Sequence, residues 1–148
     1  MNKLTINIAK INPNAIIPEY KTDGAACFDI SICEDVAVEP NQTVLLPTGL
    51  VIETPPDYAL FIAPRSSMAK TGLIMPHSFG ILDPDYCGPE DEMKILVKNI
   101  TDQTISVTKG QRLAQGYFLP IPKTEWNIID KSKLKQSSRG GFGSTGSK

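Results

Sequence analysis

Residues 80–88 read Gly-Ile-Leu-Asp-Pro-Asp-Tyr-Cys-Gly. Asp83 and Asp85 flank Pro84, Tyr86 follows at once, and glycines close both ends. Pro and Gly at this density break a helix and favour a tight hairpin. A hairpin tip has spare N–H and C=O groups that can read the edge of a small planar ligand. An acid held there can position or deprotonate a water. An aromatic beside it offers a flat face to a ring or a sugar. The competing reading is a surface turn with solvated acids, a common fate of Asp-Pro-Asp.

Outward from this stretch, the hydrophobic pattern has period two. Met93, Ile95 and Val97 alternate with Lys94 and Lys98, and residues 104–108 and 113–119 follow at similar intervals. On the other side, residues 58–63 form a short apolar run fit for a buried strand. Before them come short runs at 36–38, 43–46 and 50–53, each bounded by Pro, Gly or Asn. Phe28, Ile30 and Ile32 alternate, as do Leu4, Ile6 and Ile8. Alternation of this kind marks half-buried strands. Residues 66–71 suit one helical turn, with Ser66 as N-cap and Gly72 as its stop. Many short strands with 12 prolines and 11 glycines predict an all-β sandwich or barrel. No internal repeat is visible. After Trp126 the composition shifts, and residues 131–148 are rich in Lys, Ser and Gly. The expected organisation is a β domain over 1–130 and a flexible glycine-rich arm over 131–148.

The chain has 148 residues, which fits one domain. Its 41% hydrophobic and 21% charged residues describe a soluble globular protein. A net charge of −1 argues against a broad footprint for nucleic acid. An acidic small ligand remains compatible through a few local cations or a metal. Three cysteines, Cys27, Cys33 and Cys87, are an odd number without metal-ligand spacing, which points to reduced thiols in a cytoplasmic compartment. The N-terminus has no long apolar core, and no stretch is apolar enough to span a membrane.

Four more glycine-punctuated stretches carry chemistry-bearing residues. They are Gly-Ala-Ala-Cys-Phe-Asp-Ile (24–30), Pro-Arg-Ser-Ser-Met-Ala-Lys-Thr-Gly-Leu (64–73), Gly-Gln-Arg-Leu-Ala-Gln (110–115) and Gly-Gly-Phe-Gly-Ser-Thr-Gly (140–146). Arg65 brings a fork of donors, and Ser66 and Ser67 add hydroxyls and N–H groups at a helix start, a set that suits phosphates. Alone, Arg-Ser-Ser is mostly structural. The last stretch almost spells a P-loop, but it ends Ser147-Lys148 and no helix can follow, so that reading fails. With residues 80–88, and in this order, the stretches resemble the five motifs of the trimeric dUTP pyrophosphatase (dUTPase) family. The resemblance runs from about Ala25 to the C-terminus.

That resemblance implies a jelly-roll β-sandwich or barrel with one short helix and a C-terminal arm that closes over the site. It implies hydrolysis of dUTP to dUMP and pyrophosphate by attack of water on the α-phosphorus. That reaction lowers dUTP and supplies dUMP for thymidylate synthesis. Asp83 matches the catalytic carboxylate. Arg65, Ser66, Ser67 and Gln115 match phosphate ligands, joined from the arm by Arg139, Ser144 and Thr145. Gly80, Ile81 and Leu82 match the uracil-reading backbone, Tyr86 the residue packed on deoxyribose, and Phe142 the ring that stacks on uracil. His77 lies beside the uracil pocket, in a positional role rather than as the base. Asp29 matches the acid of the first motif, open between support of the site and a turn or core-edge hydrogen bonder. Mg²⁺ is the implied cofactor, held by the triphosphate and water with no direct protein ligand. A homotrimer with sites shared between subunits is the implied assembly, with no nucleic-acid or membrane partner.

Some residues depart from the family pattern. Cys27 and Ser67 stand where relatives usually have Gly. Arg139 directly precedes Gly-Gly-Phe, where many relatives place their arginine earlier. Residues 88–92, Gly-Pro-Glu-Asp-Glu, look like an insertion that reshapes a loop. Arg112 is open between a site role and a structural pair within the trimer. Two rivals are a dCTP deaminase and a non-catalytic nucleotide sensor. The first lacks its Ala-Arg after the paired serines. Intact Asp83, Tyr86 and arm residues speak against the second.

Overall fold

A computed structural model describes residues 4–138 and 140. Eleven short strands follow one another: β1 (Asn7–Lys10), β2 (Phe28–Ser31), β3 (Val36–Val38), β4 (Thr43–Pro47), β5 (Leu50–Glu53), β6 (Tyr58–Pro64), β7 (Leu73–Ile74), β8 (Gly80–Leu82), β9 (Lys94–Asn99), β10 (Ile105–Val107) and β11 (Arg112–Pro120). All of their pairings are antiparallel. The largest sheet has the order β2-β11-β6-β8, a second has β4-β9-β7, and two ribbons pair β1 with β5 and β10 with β3. This is the all-β architecture that the alternating pattern predicts. Among the described residues no helix is long and apolar enough to cross a membrane.

The sheets share one core. Ile30, Ile32, Leu46, Leu50, Leu60, Ile62, Met68, Met93, Ile95 and Leu113 are fully buried. Each such side chain contributes about 1.5–3 kcal/mol through the water it sheds. The Met93, Ile95 and Val97 row points inward as its period demands, while Lys94 stays at the surface. Buried Asn99 is fully used. Its Nδ2 donates to the carbonyls of Val38 and Gln103, and its Oδ1 accepts from the N–H and hydroxyl of Thr101. That network ties the end of β9 to the β3–β10 ribbon.

Two local expectations change. Residues 80–88 are not a hairpin. β8 pairs with β6, and the strand beyond the turn, β9, pairs with β4 and β7 in another sheet. The turn itself is there, closed by the Tyr86 N–H donating to Asp83 O at 3.2 Å. The helical turn is a 3₁₀ turn over Ser66–Lys70, capped at its start by extended Arg65 without a side-chain hydrogen bond, so Ser66 is inside it rather than its N-cap. Gly72, at φ +79°, ends it as expected.

The β4–β5 connection turns on Gly49, at φ +69°. A Cβ there would lie 2.6 Å from Asn12 Cβ and 2.9 Å from Ala15 Cβ. Past β11 the chain runs out over residues 121–138 with Trp126 86% and Ile128 95% exposed. Cys33 is fully buried, and burial pushes its thiol pKa above the ordinary value. Gly49→Ala should therefore lower stability by about 2–5 kcal/mol, the sum of left-handed strain and overpacking, read from the urea midpoint. In the native protein Cys33 should be the last of the three thiols to react with iodoacetamide, followed by peptide mass spectrometry.

Candidate active site

Two groups of polar residues sit at opposite ends of the large sheet. The first is built where β2, β11 and β6 run side by side. Gln115 stands opposite Asp29 on one flank and opposite Ala63 on the other. The β2–β11 register slips between Arg112 and Ala114, so that Arg112 faces Ser31. Ser31 and Asp29 share a side of β2, because strand side chains alternate. The bulge thereby turns Arg112 to the side of Asp29.

Asp29 uses both carboxylate oxygens. Oδ1 accepts from Arg65 Nε at 2.9 Å and Oδ2 from Arg112 Nη1 at 2.9 Å. Arg65 Nη1 also donates to the Arg112 carbonyl at 3.1 Å, and Gln115 Nε2 donates to the Pro64 carbonyl at 3.2 Å. The Asp29 side chain is 11% exposed, against 27% for Arg65 and 40% for Arg112. Two guanidiniums against one carboxylate leave this corner cationic. Ser66 and Ser67 open the 3₁₀ turn beside it, both exposed. Hydroxyls next to forked donors can take a phosphate chain. Five residues of 3₁₀ turn carry little macrodipole, so side chains supply most of the attraction. Arg112 finds its partner, Asp29, within the chain.

The second group surrounds β8. Because β8 is the edge of its sheet, alternate backbone groups along Gly80–Leu82 face away from the ladder. Asp83 follows immediately and is exposed. Tyr86 packs back, its hydroxyl donating to the Glu92 carbonyl at 3.2 Å. A cleft of about 310 Å³ lies here, lined by Ile81, Leu82, Asp83, Tyr86, Leu45 and Glu92. His77 is at the other end of β8; a Cβ on Gly80 would sit 3.6 Å from its Nε2. The strand thus separates the histidine from the acid. A row of rings, Tyr117, Phe61 and Phe79, covers the neighbouring face at centroid distances of 5.8 and 5.7 Å. Sequence reading missed that row, since Phe79 joins it only through the chain reversal at Ser78, a non-glycine residue at φ +68°.

The two groups do not meet in one chain. Leu82 stands opposite Leu60, which puts Asp83 level with Ala59. Arg65 lies six residues further along β6, about 20 Å away at ~3.3 Å per residue. Arg139, Phe142, Ser144 and Thr145 lie outside the described residues. Among the described residues no three His, Cys, Asp or Glu side chains gather in a way that could hold a metal ion. The cationic corner suits a polyphosphate.

The dUTPase family model matches residues 13–146. A deoxyuridine 5'-triphosphate nucleotidohydrolase from Hydrogenobaculum sp. is 38% identical over 145 residues, which cover 95% of this chain and 97% of that protein. The dUTPase of Staphylococcus bacteriophage 80alpha with dUPNHPP superposes with a TM-score of 0.84 at 22% identity, covering 97% of this chain and 99% of that one. A mutant dUTPase from phage phi11 of S. aureus, described with a structural Mg(II) ion, has a TM-score of 0.77 at 22% identity over 88% of this chain and all of that one.

Asp29→Ala should leave two guanidiniums facing each other across an empty carboxylate position. The expected cost is about 1–3 kcal/mol in the urea midpoint, between the values for exposed and buried pairs. Arg112→Ala, the more exposed partner, should cost less than half of that.

Proposed function

The chain belongs to the dUTPase family of enzymes, which hydrolyse dUTP to dUMP, and we propose that it acts by Asp83-assisted attack of water on the α-phosphorus at sites shared between subunits of a homotrimer. The observation that carries this reading is the edge position of β8 directly before Asp83. The outward-facing N–H and C=O groups along Gly80–Leu82 can pair with the edge of a uracil. Cytosine carries a donor where uracil carries O4, and a fixed N–H cannot pair with it. Tyr86 against the sugar leaves no room for a 2′-hydroxyl. His77, exposed at the Gly80 end of the strand, has a positional role beside the base pocket.

Asp83 then orients a water and accepts its proton. The water oxygen bonds to the α-phosphorus, the bond to the bridging oxygen breaks, and pyrophosphate leaves. Arg65, Ser66, Ser67 and Gln115 hold the phosphates in line, and Asp29 holds Arg65 extended for that work. Mg²⁺, carried on the triphosphate with its own waters, would neutralise charge and make pyrophosphate a better leaving group. By resemblance, residues 131–148 act as an arm, distinct from the domain over 1–130, in which Arg139, Phe142, Ser144 and Thr145 complete the site and exclude water. The free cysteines suit a cytoplasmic setting.

The trimer is supported by distance. An Arg65 about 20 Å along the ladder from Asp83 cannot serve the same nucleotide. A neighbouring chain can bring its own Arg65 to this Asp83. Exposed Trp126, Ile128, Ile129 and Leu134 also present apolar surface suited to a neighbour.

With Mg²⁺ the protein should hydrolyse dUTP and leave dTTP, dCTP and UTP nearly untouched; comparable pyrophosphate release from dCTP or dTTP would overturn the reading. Asp83→Asn should lower turnover by about 10²–10⁴ while binding of a non-hydrolysable dUTP analogue persists. Refolding Asp83→Asn together with Arg65→Ala in equal amounts should restore about a quarter of the sites if the two residues come from different subunits. A mixture shown to contain mixed oligomers yet still inactive would rule out shared sites.

A further inference from the structure

Residues 88–92 serve no catalytic step in the scheme above, yet they carry the contact that holds Tyr86. The tyrosine ring is tethered at both ends. Its backbone N–H closes the turn on Asp83 O, and its hydroxyl donates to the Glu92 carbonyl. The carbonyl is itself fixed. The Glu92 side chain, only 14% exposed, accepts the Gly49 N–H on Oε1 at 2.7 Å. The next residue, Met93, donates its N–H to Leu50 O at 2.8 Å and accepts the Thr48 hydroxyl. The rigid β4–β5 turn therefore grips residues 92 and 93 at three points. Asp91 steadies the approach by accepting the Gly88 N–H at 2.7 Å.

We infer that Glu92 is a positioning residue that sets the specificity of this site, by anchoring through Gly49 the carbonyl that holds the Tyr86 hydroxyl. A ring tied only at its backbone end can swing about χ1 and yield the space a 2′-hydroxyl needs. A ring tied at both ends cannot. Rejection of ribonucleotides thus depends on a carboxylate whose hydrogen bond goes to the Gly49 N–H. The Lys94 ammonium, 3.5 Å from Glu92 Oε2, adds a weaker hold on the same group. The inference rests on the placement of the sugar against Tyr86 proposed above.

The test compares kcat/KM for dUTP and for UTP in the full-length protein. Glu92→Ala and Tyr86→Phe should each lower the dUTP-to-UTP ratio about three- to tenfold, the worth of one lost hydrogen bond. The double variant should be no worse than either single one, because both cut the same chain of contacts. Glu92→Gln, which keeps an acceptor for Gly49, should recover most of the ratio. Should Glu92→Ala fail to fold, Glu92→Met keeps the bulk, cannot accept the N–H, and carries the same expectation. Equal losses on both substrates with the ratio unchanged, or multiplicative effects in the double variant, would overturn the inference. A wild-type protein without preference for dUTP over UTP would instead overturn the functional reading beneath it.

Discussion

The antiparallel ladder of β6 sets the geometry on which the rest depends. This seven-residue strand pairs with β11 along one side and with β8 along the other. Its end delivers Arg65 and the 3₁₀ turn, while its middle aligns Gly80, Ile81 and Leu82. Buried Leu60 and Ile62 fasten it to the core. The spacing between cationic corner and acid is thus set by backbone hydrogen bonds, which no rotamer change can relax.

That separation has a chemical use. Asp29 shows what happens to a carboxylate placed among the arginines: both oxygens are taken, one by Arg65 and one by Arg112. An acid so occupied has both oxygens engaged by cations. Asp83, held a ladder length away, is exposed and lines the cleft. Two acids of the same kind therefore have opposite surroundings, because the sheet gives one of them two cations and the other an open cleft.

Much of this is legible in the sequence. Alternation in Met93, Ile95 and Val97 announces β9, and the apolar run before Arg65 announces β6, since one buried face writes itself into the pattern. The order of five glycine-rich stretches announces the family. What escapes is whatever depends on register. The slip at Leu113, which brings Arg112 to Asp29, leaves no mark in composition. The assignment of β8 and β9 to different sheets cannot be told from a hairpin, because Pro84 and its glycines punctuate both alike. Asn99 and Glu92 read as ordinary surface residues until their partners, distant in sequence, are seen. Ser66 looks like an N-cap because its type favours that position, but the short turn starts one residue earlier.

Trp126 is the only tryptophan in the chain and stands almost free of protein contact beyond β11. An indole in water emits at long wavelength, and burial against another surface shifts the emission to the blue. The molecule consequently carries its own optical label for whatever comes to lie on that segment. Association could be followed by dilution and intrinsic fluorescence alone, without a dye, a tag or a substituted residue to perturb the surface being observed.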